Sequence, residues 1–213
     1  MPLKRIAARL GVSVGTVHAW TRDIELTPKQ QWRNLYGPRG PANPEHVAAR
    51  AATRRRASRA KRLAFQREGR ERARDGDPLH MAGCMLYWAE GSKQRNLVEL
   101  ANSDLHLVWL FCRFLRTCFR VEPTDFRIRL NVYTGNDLSI EEIERHWLDA
   151  LELPRECLIG HTLNHLPTSS SGKRRNKLPY GVCSVRVHST HTVQHIYGAI
   201  QEYAGFDEPR WLD

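Results

Sequence analysis

Hydrophobic and polar residues recur with helical spacing in the first part of the chain, over residues 3–22. The pattern predicts two short helices joined by a tight turn, with Ala7 at their closest approach and Gly11 in the turn. Ser13 has the side chain of a good N-cap for the second helix. The predicted shared apolar face consists of Ile6, Leu10, Val12, Val17 and Trp20. Residues 27–36 supply a third helix, or the true start lies upstream of Met1.

A basic segment follows over residues 38–77, so the predicted first domain ends at residue 37. It opens with the helix-breaking residues GPRGPANP and continues as an Arg/Ala-rich run. Residues 45–75 contain 11 Lys or Arg against 4 Asp or Glu, with few large apolar residues to form a core-facing stripe. We expect a basic, helical linker. Either it follows a phosphate backbone through residues such as Arg54, Arg55 and Arg56, or it is a solvated connection.

A second domain is predicted over residues 78–213. An apolar helix at 78–90 is followed by a strand at 97–104, an apolar helix at 105–119 and an alternating strand at 126–134. The remaining predicted elements are an amphipathic helix at 139–153, a strand at 182–187 and a closing helix at 191–205. This alternation favours an α+β fold, with a small all-helical domain and a second domain whose helices cover one face of a mainly antiparallel sheet.

The charge of the chain indicates its class of partner. With 33 Lys and Arg against 23 Asp and Glu, the formal net charge is +10, which favours a polyanion. No apolar run approaches the roughly 20 residues of a membrane span, so nucleic acid is favoured over a membrane. The first residues lack the apolar core of a secretory signal, and we expect a cytoplasmic protein.

Cysteine and histidine spacing offers two further candidate sites. The five cysteines form no CxxC pair, which argues against a disulfide framework and a zinc ribbon. Cys157, His161 and His165 would align as metal ligands on a helix, but Gly160 and the following residues favour strand or loop. The group His188, His191 and His195 lies near the last strand-to-helix junction, where acid/base, metal-binding, capping and surface roles are all open.

The paired helices over residues 3–22 resemble the helix-turn-helix of resolvases, transposases and many bacterial repressors. The resemblance implies that a helix from about residue 14 to residue 22 enters the major groove of DNA. Ser13 and Thr16 are then placed for phosphate contacts, whereas His18 and Arg22 have the reach for base edges.

The start of the second domain resembles a LAGLIDADG homing endonuclease. The resemblance rests on Ala89, Glu90 and Gly91, followed by a strand and the turn Asn-Ser-Asp at residues 102–104. It implies one repeat with an insertion around residues 135–180, and motif helices that pair across the two-fold axis of a homodimer. Each motif helix then ends in an acidic residue, here Glu90, that binds a divalent metal near a scissile phosphate.

Two functions therefore remain open for a chain that binds double-stranded DNA. The first is a transcriptional regulator without a cofactor, since some bacterial regulators combine a helix-turn-helix with a LAGLIDADG-like core in the opposite order. The second is a Mg²⁺-dependent endonuclease, acting as a homodimer with Glu90 as metal ligand and catalytic residue. Met85 and Trp88 are bulky where motif helices pack closely, which favours the regulator. In either case we expect a basic loop to contact phosphates through Lys173, Arg174, Arg175 and Lys177.

Overall fold

The structure is a computed structural model that describes residues 3–36, 44–133, 138–164 and 178–213. Within these ranges the chain forms eight α-helices and one four-stranded sheet, so the fold is of the predicted mixed α+β class. The chain divides into two compact units, Met1–Arg55 and Arg56–Asp213.

The first unit consists of helices. Helices α1 (Leu3–Leu10), α2 (Val14–Thr21) and α3 (Pro28–Tyr36) precede a long helix α4 (Pro44–Ala73) that crosses the unit boundary. Helix α3 is the helix predicted over residues 27–36. The turn between α1 and α2 contains Gly11 at φ +66°, a left-handed conformation that glycine adopts without steric cost.

The contact between α1 and α2 is smaller than the apolar pattern predicts. Ala7 and Val17 are buried, with 3% and 1% of their surface exposed, and the amide of Val12 donates to the carbonyl oxygen of Ala7 at 3.1 Å. Leu10 and Trp20 are 58% and 62% exposed, so their placement on a shared apolar face was wrong. Each helix has only eight residues, and the contact encloses little beyond Ala7 and Val17.

The second unit contains four more helices and four strands. The helices are α5 (Pro78–Glu90), α6 (Leu105–Phe119), α7 (Ile140–Leu151) and α8 (Thr190–Ala204). Each begins at a side chain that accepts hydrogen bonds from the first turn, and these caps are Asp77, Asp104, Ser139 and Ser189. The strands are β1 (Val98–Asn102), β2 (Arg127–Val132), β3 (Leu158–Leu163) and β4 (Val182–Val187).

The four strands form one sheet in which two of the three strand pairings are antiparallel. The apolar patterns predicted β1, β2 and β4, whereas β3, which adds the parallel pairing, was not among the predicted elements. Their order is β1-β4-β2-β3, with β4 antiparallel to both neighbours and β2 parallel to β3. Leu100, Val185 and Ile128 are in register and fully buried in one core with helical side chains. The next residues along the strands place Glu99, Arg186 and Arg127 in register on the opposite face. We call this second surface the outer sheet face.

The second half of α4 differs from the predicted linker, because residues 56–73 pack into the second unit. A Cβ atom added to Gly69 would lie 2.0 Å from the carbonyl oxygen of His195, and one added to Gly198 would lie 1.9 Å from that of Gln66. Helices α4 and α8 therefore approach each other through glycines. The side-chain amides of three buried glutamines join the two helices. Gln66 donates to Gln194 at 2.8 Å, and Gln201 donates to Gln66 at 3.2 Å. The second unit thus begins within the segment assigned to the linker.

Candidate nucleic-acid interface

The start of α2 is organised by a side-chain cap. The Ser13 hydroxyl accepts a hydrogen bond from the amide of Thr16 at 3.0 Å, and the two hydroxyl oxygens are 2.8 Å apart. This is the N-cap predicted from the sequence. Ser13 is exposed and Thr16 is half-buried, so hydroxyl groups face solvent at the beginning of the helix.

The two predicted base-reading residues are both exposed. His18 projects from α2, and the Arg22 side chain, at the C-cap of α2, is 76% exposed. Its Nε atom lies 3.7 Å from the carboxylate of Asp23, whose side chain is 91% exposed. An ion pair so open to solvent contributes little and can be exchanged for another partner.

The cations of α4 fall into two groups. In the second half of the helix, guanidinium groups are engaged by the second unit, and Arg74, directly after the helix, likewise contacts the carboxylate of Glu202 at 2.8 Å. Others in this group are Arg59 with Asp213, Arg70 with Asp207 and Arg72 with Asp77. In the first half, Arg50, Arg54, Arg55 and Arg56 are exposed and have no acidic partner among the residues that the structure describes.

The outer sheet face carries a second group of cations. Arg186 forms a 2.6 Å ion pair with Glu99, and Arg127 donates to the carbonyl oxygen of Thr124 at 2.6 Å. Arg129 is exposed and makes no hydrogen bond or ion pair within the described ranges. With three arginines and one glutamate, these charged groups give the face a net positive charge.

Glu90 is the last residue of α5 and is exposed. Its carboxylate has no hydrogen bond or ion pair to any described residue. Lys93, three residues after Glu90, donates to the carbonyl oxygen of Gly91 at 3.2 Å. From Gly91 the chain passes into the sheet through a bridge to Leu100. Among the described residues of one chain, Glu90 has no neighbouring ligands that would complete a metal site.

Helix α5 presents an apolar surface to solvent. Met81 and Trp88 are 43% and 39% exposed, and Met85 lies between them on the same side of the helix. Gly83 faces inward, where an added Cβ atom would lie 2.1 Å from the ring of Phe114. The bulky residues therefore lie on the exposed face, and Gly83 is not available to form a tight contact there.

The structure describes some of the residues of the other candidate sites. Cys157 is buried and donates to the carbonyl oxygen of Pro123 at 3.0 Å, whereas Nε2 of His161 lies 2.8 Å from the buried carboxylate of Glu144. His161 lies in β3, Cys157 ends the short 3-10 turn before that strand, and the two have separate partners, so they do not align as ligands on a metal-binding helix. His165 and the basic loop residues Lys173, Arg174, Arg175 and Lys177 lie outside the described residues.

The three histidines of the group His188, His191 and His195 have different surroundings. His188 is exposed and lines an open pocket of about 430 Å³ together with His191. His191 and His195 also meet Glu68, a residue of α4 that no sequence motif singled out. No local signal could have found it, because Glu68 precedes His191 by 123 positions.

Comparison with protein-family models, with curated proteins and with solved structures finds no match to this chain. None of the helices in the described ranges combines the length and the apolar character that crossing a membrane requires.

Proposed function

We propose that this chain is a sequence-specific double-stranded DNA-binding protein that acts as a transcriptional regulator. The observation that carries the proposal is the division of charge along α4. In its second half Arg59, Arg70 and Arg72 form internal ion pairs, whereas Arg50, Arg54, Arg55 and Arg56 are exposed and free of acidic partners in the described structure. Four free guanidinium groups on two turns of helix match the repeated charges of a phosphate backbone.

We assign the preference for particular DNA sequences to α2. The buried Val17 holds the inner side of this helix, and His18 and Arg22 are exposed on its outer side. The helix can therefore present these two side chains to base edges. Arginine binds guanine in a bidentate manner, and the open pairing of Arg22 with Asp23 leaves its guanidinium available.

Fluorescence anisotropy on a DNA site selected from a random library tests both assignments. We expect Arg22→Ala and His18→Ala each to weaken binding to the selected site by about 1–3 kcal/mol and to change binding to scrambled DNA less. The triple variant Arg54→Ala, Arg55→Ala, Arg56→Ala should weaken both equally and flatten the dependence of log K on log salt by about 2–3.

Arg74→Ala, at the residue that follows the same helix, is the matched control, because its guanidinium already pairs with Glu202. It should leave the salt dependence unchanged. Equal losses on selected and scrambled DNA for Arg22→Ala and His18→Ala would remove α2 from base recognition. A triple variant with the wild-type salt slope would remove the free arginines from phosphate contact.

The second unit is proposed to be a LAGLIDADG-like domain that dimerises through α5 and adds DNA contacts through the outer sheet face. On the helix that corresponds to the pairing motif, Met81 and Trp88 are exposed and the half-buried Met85 lies between them, which offers an apolar strip. Sedimentation should show a dimer for the wild-type protein and a monomer for Met81→Glu. A wild-type monomer at all accessible concentrations contradicts this arrangement.

A Mg²⁺-dependent endonuclease is the second candidate function. It is favoured by one observation, the exposed Glu90 carboxylate without a partner in the described structure at the end of α5. A dimer would bring a second Glu90 to the same helix ends, which would supply the oxygen ligands that Mg²⁺ prefers. Incubating the wild-type protein with a random DNA library, with and without Mg²⁺, and scoring bound and cut sequences separates the two functions.

A further inference from the structure

A cluster of three ligand-type side chains lies where α4 meets the beginning of α8. Nε2 of His191 is 3.0 Å from both carboxylate oxygens of Glu68, and Nδ1 of His195 is 3.6 Å from one of them. One ligand atom from each of the three residues lies within 4.8 Å of the other two. The close approach of the two helices at Gly69 and Gly198 brings these atoms together.

We propose that Glu68, His191 and His195 bind a Zn²⁺ ion. Two imidazole nitrogens and one carboxylate oxygen form a donor set that zinc uses where solvent supplies the fourth ligand. Ligand atoms in a tetrahedral zinc site are roughly 3.3 Å apart, since each bond is about 2.0–2.1 Å long. The separations of 3.0 and 3.6 Å lie on either side of this value. Mg²⁺ and Ca²⁺, which prefer oxygen ligands, do not suit the two nitrogens.

His195 supplies an independent observation that points to a ligand. Its side chain is only 7% exposed, and its Nδ1 atom is buried without a hydrogen-bond partner. Buried polar atoms in proteins are normally satisfied, so an orphaned ring nitrogen directed at a carboxylate 3.6 Å away needs an explanation. A metal ion that accepts the Nδ1 lone pair and also contacts Glu68 provides one.

The surroundings of His195 are consistent with the ring form that zinc requires. Nε2 of His195 lies 3.1 Å from Nε2 of His80, and Nδ1 of His80 lies 2.7 Å from the hydroxyl of Tyr203. With zinc on Nδ1, the His195 proton resides on Nε2 and is donated to His80, whose own Nδ1–H is donated to Tyr203. Each ring nitrogen then has one partner, as in the outer hydrogen bonds that orient metal-binding histidines.

Burial also disfavours the charged form of both rings. Burial lowers the pKa of His80, and burial together with the adjacent His80 lowers that of His195 to about 4. Neutral imidazole is the form that binds metal, so His195 does not need to lose a proton at pH 7. The side chains of Glu68 and His191 are 53% and 43% exposed, which leaves room for a water molecule to complete the coordination.

The experiment uses the untagged full-length chain after dialysis against a chelator. Calorimetric titration with Zn²⁺ should show one equivalent per chain. Co²⁺ in place of Zn²⁺ should give the visible absorption of a tetrahedral complex. His191→Asn and Glu68→Gln each remove an exposed ligand with little threat to folding, and each should reduce zinc affinity by more than about 100-fold, beyond the 10–100-fold typical of outer partners.

His188→Asn is the matched control, because His188 is an exposed histidine three positions from His191 and lies outside the cluster. It should retain wild-type zinc affinity. Tyr203→Phe should reduce zinc affinity about 10-fold, since it removes only the outer hydrogen bond to His80.

Three results would overturn the proposal. These are wild-type protein that binds no zinc, His191→Asn and Glu68→Gln variants that bind it normally, and a His188→Asn variant that loses it as they do. A Glu68→Gln variant that is less stable while the wild-type melting temperature is insensitive to zinc would identify the cluster as an ion pair only. DNA binding measured on the zinc-free protein reports on the proposed regulator separately.

Discussion

Replacing Gly198 with alanine tests the packing of α4 against α8. An added Cβ atom would lie 1.9 Å from the carbonyl oxygen of Gln66, whereas real Cβ contacts essentially never fall below 3.0 Å and ordinary contacts begin at 3.4 Å. The two helices would have to separate by roughly 1 Å, which would also disturb the hydrogen bond between Gln66 and Gln194.

The expected cost follows from two opposing effects. Overpacking a close contact destabilises a protein by about 1–3 kcal/mol, and the greater helix propensity of alanine returns about 1 kcal/mol. The added Cβ atom would meet a main-chain carbonyl, which cannot rotate away as a flexible side chain can, so we take the upper part of the overpacking range, about 2–3 kcal/mol, and expect a net loss of about 1–2 kcal/mol. For a unit of this size each kcal/mol lowers the melting temperature by about 2–4 °C, so the thermal transition of the second unit should fall by about 2–8 °C.

The assay is thermal unfolding followed by circular dichroism and calorimetry. Gly69→Ala should act in the same direction, because its Cβ atom would lie 2.0 Å from the carbonyl oxygen of His195. Gly15→Ala is the control for helix propensity alone, since its nearest neighbour, the Ser13 hydroxyl, would be 3.6 Å away. Unchanged or higher melting temperatures for both Gly198→Ala and Gly69→Ala would show that α4 and α8 do not pack as described.

Two further predictions concern acid and metal. Folding lowers the pKa of His195 to about 4 and also lowers that of His80. Below pH 6.5 the unfolded chain therefore binds more protons than the folded chain. Urea denaturation with chelator present measures this effect. The free energy of unfolding should keep its full value above pH 6.5 and fall by about 3 kcal/mol by about pH 4 because of His195. A free energy of unfolding that does not change with pH contradicts the prediction. For the regulator, Glu90→Gln should leave DNA affinity and melting temperature in Mg²⁺ unchanged; Mg²⁺-dependent nicking by the wild type that this variant lacks would establish the endonuclease instead.

Local sequence signals predicted most elements of the second unit, with β3 the strand that they missed. Helix α6 and strand β4 occupy the residues inferred from their apolar patterns, 105–119 and 182–187. Helix α7 begins with a reciprocal cap, in which the Ser139 hydroxyl accepts from the amide of Glu142 and the Glu142 carboxylate accepts from that of Ser139. Such features depend on residues within one or two helical turns, and the chain carries them explicitly.

Contacts between distant segments were not predictable in this way. The buried side of α4 consists of Gln66, Gly69 and Ala73, whose helical spacing is visible but which lack the large apolar side chains that mark a core-facing stripe. The histidine spacing suggested a site near His191 and His195. The carboxylate that completes the cluster depends on tertiary packing and was therefore missed.

The pairing of α4 with α8 also has a consequence for synthesis on the ribosome. Gln66 bonds to a residue 128 positions later, so this hydrogen bond cannot form until α8 has left the exit tunnel. The partners of Arg70 and Arg74, which include Asp207 and Glu202, emerge equally late. Until then the second half of α4 leaves the ribosome as a strongly cationic segment next to ribosomal RNA. Slow release of the chain from the ribosome, or a chaperone that covers this segment, should therefore raise the yield of folded chain.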